Sequence, residues 1–174
     1  MKKGYAGFSG DSLQIKSKRG SKTSNEDAMP VKDFEISFSF KTSSKTTALF
    51  SIDDPKQGGH DRHIYLKNGM IYVRVWPGKT YIAGKGNYAD NQWHSYTLTC
   101  ETGTNCVSMI DGKKGAAAPI DHSNFDWASR ILVGYSADMR AYSFTGQMKD
   151  IVYKSTKYSE SKSVDVNSAA DFVK

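Results

Sequence analysis

The chain is poor in the residues that most often advertise chemistry. Its 174 residues include two cysteines, four prolines and four glutamates: Glu26, Glu35, Glu101 and Glu160. No apolar run approaches the roughly 18 residues that a membrane-crossing helix needs, so membrane insertion is not expected. The opening MKKGYAGFSG carries two lysines without an apolar stretch behind them, so it does not read as a secretory signal. No long segment repeats its apolar residues at helical spacing, which excludes a helix bundle. The best helical candidate is the tail DVNSAADFVK, roughly one or two turns. No glycine-rich phosphate loop precedes a helix, and no serine stands in a Gly-x-Ser-x-Gly elbow.

What is present is alternation. FEISFSFKT (34–42) sets Phe34, Ile36, Phe38 and Phe40 against polar neighbours, the period-two pattern of a half-buried strand. ALFSID (48–53), HIYLKNGMIYVRVW (63–76), SYTLTC (95–100), CVSMIDG (106–112), RILVGYS (130–136) and GQMKDIVYKS (146–155) follow. β-branched and aromatic residues dominate these runs, and Asn68-Gly69 is the strongest short-range hairpin signal. Short strands separated by Gly-, Asn- and Asp-rich turns predict one all-β domain, a two-sheet antiparallel β-sandwich or jelly roll. At 38% apolar and 24% charged residues the composition is that of a folded chain.

The formal charge is +6, from 24 basic and 18 acidic residues, and KSKRGSK (16–22) forms a basic block. Such a surface attracts polyanions, whether sulphated glycans, acidic headgroups or nucleic acid. No motif that reads nucleic acid accompanies the charge, so nucleic acid is not an expected partner. A solvated, solubilising loop is the plainer explanation of the block.

Cys100 and Cys106 flank ETGTN, a five-residue connection between two strand-like runs. Closing that hairpin sets the two residues opposite each other, where Cβ atoms approach within about 4.5–5.5 Å. A disulfide is the expectation, and it implies an oxidising, extracellular setting; two free thiols are the alternative. A lone C-x5-C supplies too few ligands for a structural zinc site. His60, Asp61 and His63 in GGHDRH form a second candidate metal cluster, but without a third imidazole or a glutamate base.

Taken together, Phe8-Ser9-Gly10, ISFSFKT, ALFSI, IYLKNGMIYV, DNQWHSYTL, SMIDGKKG, ILVGYS and FTGQMKDIVY succeed one another in an order that resembles the laminin G-like domain of the concanavalin A-like jelly-roll superfamily. The resemblance covers roughly residues 5–158. Its more specific marks are D-x-x-W-H, I-D-G about 18 residues later, and F-x-G-x-x-x-D-I near the end. It implies a sandwich over residues 1–158, with 159–174 as a C-terminal extension or the start of a linker. It also implies that Trp93 packs into the core and that His94 is a structural, hydrogen-bonded residue at the sheet edge.

Glucanases of this architecture place their acids in a Glu-x-Asp-x-x-Glu strand, and none of the four glutamates stands in that pattern. A retaining glycosidase needs two carboxyl groups about 5–5.5 Å apart, so the chain is expected not to be an enzyme. Laminin G-like domains hold a rim calcium with two acidic or amide side chains and two carbonyls. The resemblance places these at Asp61 and Asp126 and at the carbonyls of Trp76 and Asn124, although His60 occupies the position that would match most closely; two solvated loop aspartates are the alternative. Calcium tolerates such mixed oxygen ligands, and an exposed site of this kind binds at about 10⁻⁴–10⁻³ M.

The rim segment VRVWPGKTYIAGKGNY (73–88) carries Arg74, Trp76, Lys79, Tyr81, Lys85 and Tyr88, and GYSADMRAYSF (134–144) carries Tyr135, Asp138, Arg140 and Tyr142. Aromatic and arginine side chains in loops suit a sugar ring or a protein hot spot alike, and half-buried sheet positions for Trp76 and Tyr81 are the alternative. The expected function is therefore extracellular recognition of a glycan or glycoprotein, on a cell surface or matrix, with calcium as a cofactor. A protein–protein interaction module that also docks neighbouring domains is the alternative.

Overall fold

Residues 34, 36, 38 and 40 are buried and residues 35, 37, 39 and 41 are half-exposed, so the alternation read from the sequence is the alternation of the fold. The computed structural model describes residues 6–9, 12–16, 34–54, 59–75, 79–101, 106–116, 130–136, 143–155 and 172–173. Its strands are β1 (Ala6–Ser9), β2 (Ser12–Lys16), β3 (Phe34–Lys41), β4 (Thr47–Asp54), β5 (Gly59–Lys67), β6 (Met70–Val75) and β7 (Lys79–Gly84). They continue as β8 (His94–Cys100), β9 (Val107–Ile110), β10 (Lys113–Lys114), β11 (Arg130–Val133), β12 (Thr145–Ser155) and β13 (Phe172–Val173).

Two antiparallel sheets result. One runs β1-β12-β3-β8-β9-β10 and the other β13-β2-β11-β4-β5-β6-β7. Phe34, Phe38, Tyr96 and Leu98 from the first meet Phe50, Ile52, Ile64 and Val73 from the second in one continuous core. The rings of Phe38 and Phe50 stack across the gap at 6.4 Å, and Phe34 stacks on Tyr153 at 5.7 Å. Fully burying each such phenylalanine is worth about 1.5–3 kcal/mol, so these inward faces set strand register. A buried Arg62 belongs to the same inward face of β5, its guanidinium 5.7 Å from the Phe34 ring centroid.

The expected Asn68-Gly69 turn forms, and so does a second two-residue turn. Asn68-Gly69 and Asp111-Gly112 each have two positive φ angles (54° and 81°; 50° and 73°), the mirror-image turn that suits right-twisted strands. Cys100 and Cys106 are joined by a disulfide, with Cα atoms 4.2 Å apart and both side chains fully buried. Register explains the bond: Thr99 faces Val107, so the next pair outward brings the two cysteines opposite each other on the inner face.

At one flank the sheets are tied together. The Gly115 amide donates to the Ser108 carbonyl (2.8 Å), and the Ala116 amide donates to the Ala83 carbonyl (3.2 Å), linking the β10 edge to the β7 edge. Since those edges meet, the opposite edges, β1 and β13, share the other flank. The tail expected as a short helix instead contributes β13, with Phe172 opposite Leu13 and Val173 opposite Ser12. A helix of one or two turns is marginal in water, and the open edge of β2 offers the same residues a ladder.

Candidate functional site

Trp93 does not pack into the core as expected; it is 36% exposed, and the Lys149 ammonium sits 4.7 Å from its ring centroid. Parity is the reason. In β8 the even residues, Tyr96, Leu98 and Cys100, face inward, so position 93 belongs with the outward set. The residue that begins the inward row is His94. Its ring packs against Phe40 at 5.7 Å and edge-to-face against Tyr88 at 5.2 Å.

Both imidazole nitrogens meet carboxylates. Nδ1 lies 2.8 Å from Asp111 Oδ2, and Nε2 lies 2.9 Å from Asp90 Oδ1. Carboxylate oxygens only accept, so this arrangement favours the doubly protonated imidazolium. Partial burial works against that charge, but the hydrogen bonds to Asp111 and Asp90 and their negative charges together raise the pKa of His94 above its usual value. The His94 hydrogen bond, followed by one from the Gln92 amide, holds the Asp90 carboxyl below its usual range. The remaining Asp111 oxygen accepts from the Ser95 amide at 2.8 Å. This clamp ties the 90–93 loop, the start of β8 and the β9–β10 turn to one ring.

Beside the clamp, the β7 and β10 edges enclose a cleft of about 380 Å³. Its lining includes Ile82, Tyr88 and Ile110, with Lys85 just after β7 and Lys113 and Lys114 in β10. The glycines at 84 and 115 leave room for close approach: a Cβ at Gly84 would meet Ile110 and Tyr88, and one at Gly115 would meet the Ala83 carbonyl.

The expected rim residues are spread more widely than one platform. Arg74 pairs across the ladder with His63 and Thr80 on the outer face of the seven-stranded sheet, whereas Tyr81 faces Val73 on the inner side. Lys79 opens β7 opposite Val75. Tyr135 is half-buried, and its carbonyl accepts from Ser51 Oγ at 3.0 Å. His63 is buried with Nδ1 2.6 Å from Ser136 Oγ, a structural use of an imidazole first considered as a metal ligand. Asp61 lies in β5 at a register shift: Ile52 pairs with Arg62 and Asp53 with His60, leaving Asp61 as the extra residue of a bulge. Trp76, Asn124, Asp126, Asp138, Arg140 and Tyr142 lie outside the described residues.

The clamp and the lysine cleft were not assembled from the sequence. The signals were there, Asp90-x-x-Trp93-His94 and Ile110-Asp111-Gly112, but as separate motifs.

A two-sheet sandwich of this order, closed along one flank and carrying its polar side chains on loops and edges, defines a jelly-roll domain. The laminin G model of the concanavalin A-like lectin/glucanases superfamily matches residues 16–160, and the chain belongs to that family. No curated protein sequence matches it. Among solved structures it is similar to domains LG4-5 of the mouse laminin alpha1 chain (12% identity, TM-score 0.66), covering 87% of this chain and 42% of that one. It is similar also to the heptameric SAP-like pentraxin of Limulus polyphemus (12% identity, TM-score 0.58; 82% and 75% covered). A third is the binding domain of botulinum neurotoxin serotype D (15% identity, TM-score 0.60; 89% and 39% covered). The chain thus spans less than half of the laminin chain it resembles.

Proposed function

We propose that this laminin G-like chain is a non-catalytic extracellular recognition domain that binds glycans or glycoproteins through the loops at its rim, with calcium bound there. The observation that carries the non-catalytic part is the state of the carboxylates. Asp90 and Asp111 are two carboxylates brought to one group, and both are bound to the His94 ring. A glycosidase's general acid must be held protonated, with a raised pKa, whereas Asp90 is shifted the other way. One of the similar structures is itself a toxin's binding domain, which agrees with a recognition role. The buried disulfide agrees with an oxidising, extracellular setting.

Calcium would be held by Asp61 and Asp126 with the carbonyls of Trp76 and Asn124, and it would supply a charge to which sugar hydroxyls or a partner's oxygens can bind. The register supports half of this set. Arg62, the residue after Asp61, pairs with Val75, the residue before Trp76, and the bulge at Asp61 accounts for the one-residue offset noted in the sequence. Of the expected rim residues, Trp76, Lys79, Asp138, Arg140 and Tyr142 are proposed to meet the ligand, whereas Arg74 and Tyr81, on opposite faces of one sheet, do not meet it together and Tyr135 is half-buried. Thermal unfolding in calcium and in chelator, followed by a neutral and acidic glycan screen in calcium, tests the proposal. We expect the midpoint to rise with calcium in the wild type and not in Asp126→Ala, because a ligand of the native state stabilises by mass action. An equal midpoint with calcium and chelator refutes the metal, and release of reducing sugar from any glycan refutes the non-catalytic role.

A further inference from the structure

Each nitrogen of the His94 ring faces a carboxylate oxygen, Asp111 Oδ2 at 2.8 Å from Nδ1 and Asp90 Oδ1 at 2.9 Å from Nε2. An imidazolium has two N–H groups and satisfies both. A neutral imidazole has one, and its bare nitrogen is an acceptor set against another acceptor. Loss of the proton therefore opens one of the two contacts. The ring is wedged while this happens, with Phe40 of β3 at 5.7 Å and Tyr88 edge-on at 5.2 Å between centroids.

The two carboxylates are anchored unequally. Asp111 begins the turn between β9 and β10; its other oxygen accepts from the Ser95 amide at 2.8 Å, and its own amide donates to the Ser95 carbonyl at 3.0 Å. Asp90 stands in the connection between β7 and β8, where residues 90–93 are all exposed, and its carboxylate is otherwise met by the Gln92 amide of the same loop at 2.9 Å. A backbone bond from the Asn91 amide to the Thr42 carbonyl, 2.9 Å long, tethers this loop, and Trp93 closes it with its ring 4.7 Å from the Lys149 ammonium. The other titratable group facing the imidazole is Tyr88, from the same connection, and β3 presents the uncharged Phe40. We propose that residues 90–93 form a pH-operated latch: the His94 imidazolium holds the loop closed through Asp90, and the neutral ring keeps Asp111, releases Asp90 and frees the loop to move with Trp93. Partial burial lowers the His94 pKa, but the hydrogen bonds to Asp111 and Asp90 and their charges raise it overall, so release falls above the ordinary histidine value of about 6.5. Trp93 is an exposed indole, and Tyr88 and Asp111 line the neighbouring cleft, so the latch sets how this part of the surface is presented. It stands on the clamp geometry and is independent of what the rim binds.

NMR of the full chain between about pH 5 and 9 tests the latch. Ring nitrogen shifts report the protonation and tautomer of His94, and amide exchange, corrected for its intrinsic pH dependence, reports the loop. We expect His94 to pass from the doubly protonated form to the Nδ1–H tautomer. Exchange at Gln92 should rise in the same step by at least about tenfold, while the Ser95 amide stays protected. Asp90→Ala has no carboxylate to hold, so Gln92 should exchange fast at every pH while His94 still titrates. Amide shifts unchanged outside residues 85–95 check that this variant is folded. A ring that keeps one protonation state throughout, a titration that leaves residues 90–93 unmoved, or the same step at Gln92 in Asp90→Ala overturns the latch. An Nε2–H tautomer with loss of Ser95 protection also overturns it, because Asp111 is then the group released.

Discussion

Replacing His94 by glutamine removes the imidazolium that two carboxylates share. Glutamine can donate from one nitrogen only, so at most one of the bonds at 2.8 and 2.9 Å survives, and the charge is lost. The Asp111 side chain is 44% exposed, so water screens the pair, and the loss at that bond comes to about 1 kcal/mol rather than the larger figure for a buried charged hydrogen bond. For a chain of this size that is a fall of about 2–4 °C in melting midpoint. The pH dependence gives the sharper reading. The folded-state pKa of His94 is raised, so its contribution is complete below the unfolded value of about 6.5 and is lost as pH rises through the folded value. The Asp90 pKa is lowered, so its contribution is present above about 3.8 and is lost as pH falls through the folded value. The midpoint gap between wild type and His94→Gln should therefore be widest between about pH 4 and 6.5 and narrow on the alkaline side. Scanning calorimetry from pH 4 to 9 measures it. A gap that is constant with pH, or that widens above pH 7, refutes the imidazolium clamp.

Three further outcomes concern the scaffold. The Tyr96 hydroxyl and Ser108 Oγ are buried and 3.0 Å apart, so Tyr96→Phe and Ser108→Ala should each cost about 1–2 kcal/mol. The double variant should cost clearly less than their sum in urea unfolding, and strict additivity would refute the pairing. Burial also raises the Tyr96 pKa, so stability should begin to fall above about pH 10, where the unfolded chain loses that proton first. Gly146 has φ 148°, and a Cβ there would overlap the Lys41 carbonyl of the neighbouring strand, so Gly146→Ala should lower stability by about 2–4 kcal/mol in urea unfolding.

The fold was legible wherever one strand carried its own alternation. β3, β8 and the β5–β6 hairpin with its Asn-Gly turn stand where the period-two runs placed them. β1, β2 and β13 were not seen, because runs of 4, 5 and 2 residues are too short to show a period and form only against partners distant in sequence. β7 is legible only in part: KTYIAG follows Pro77-Gly78 with a weak alternation, which leaves Tyr81 open to a loop or a half-buried sheet position, and the structure gives the sheet.

The family motifs turn out to have separate physical uses. D-x-x-W-H and I-D-G are the two halves of the His94 clamp. In F-x-G-x-x-x-D-I, Gly146 makes room for β3, while Asp150, at φ 53°, occupies the bulge where the β12–β3 register shifts. The lysine cleft left no trace in any local pattern. Lys85 lies near β10 only because two sheets close along one flank, and sheet packing has no short-range signature.

That closure also decides which strands lie farthest from the cleft. β1 and β13, the strands nearest the two ends of the chain, are the outermost strands of their sheets on the flank opposite the cleft. The cleft at the β7–β10 edge therefore lies across the full width of both sheets from β1 and β13.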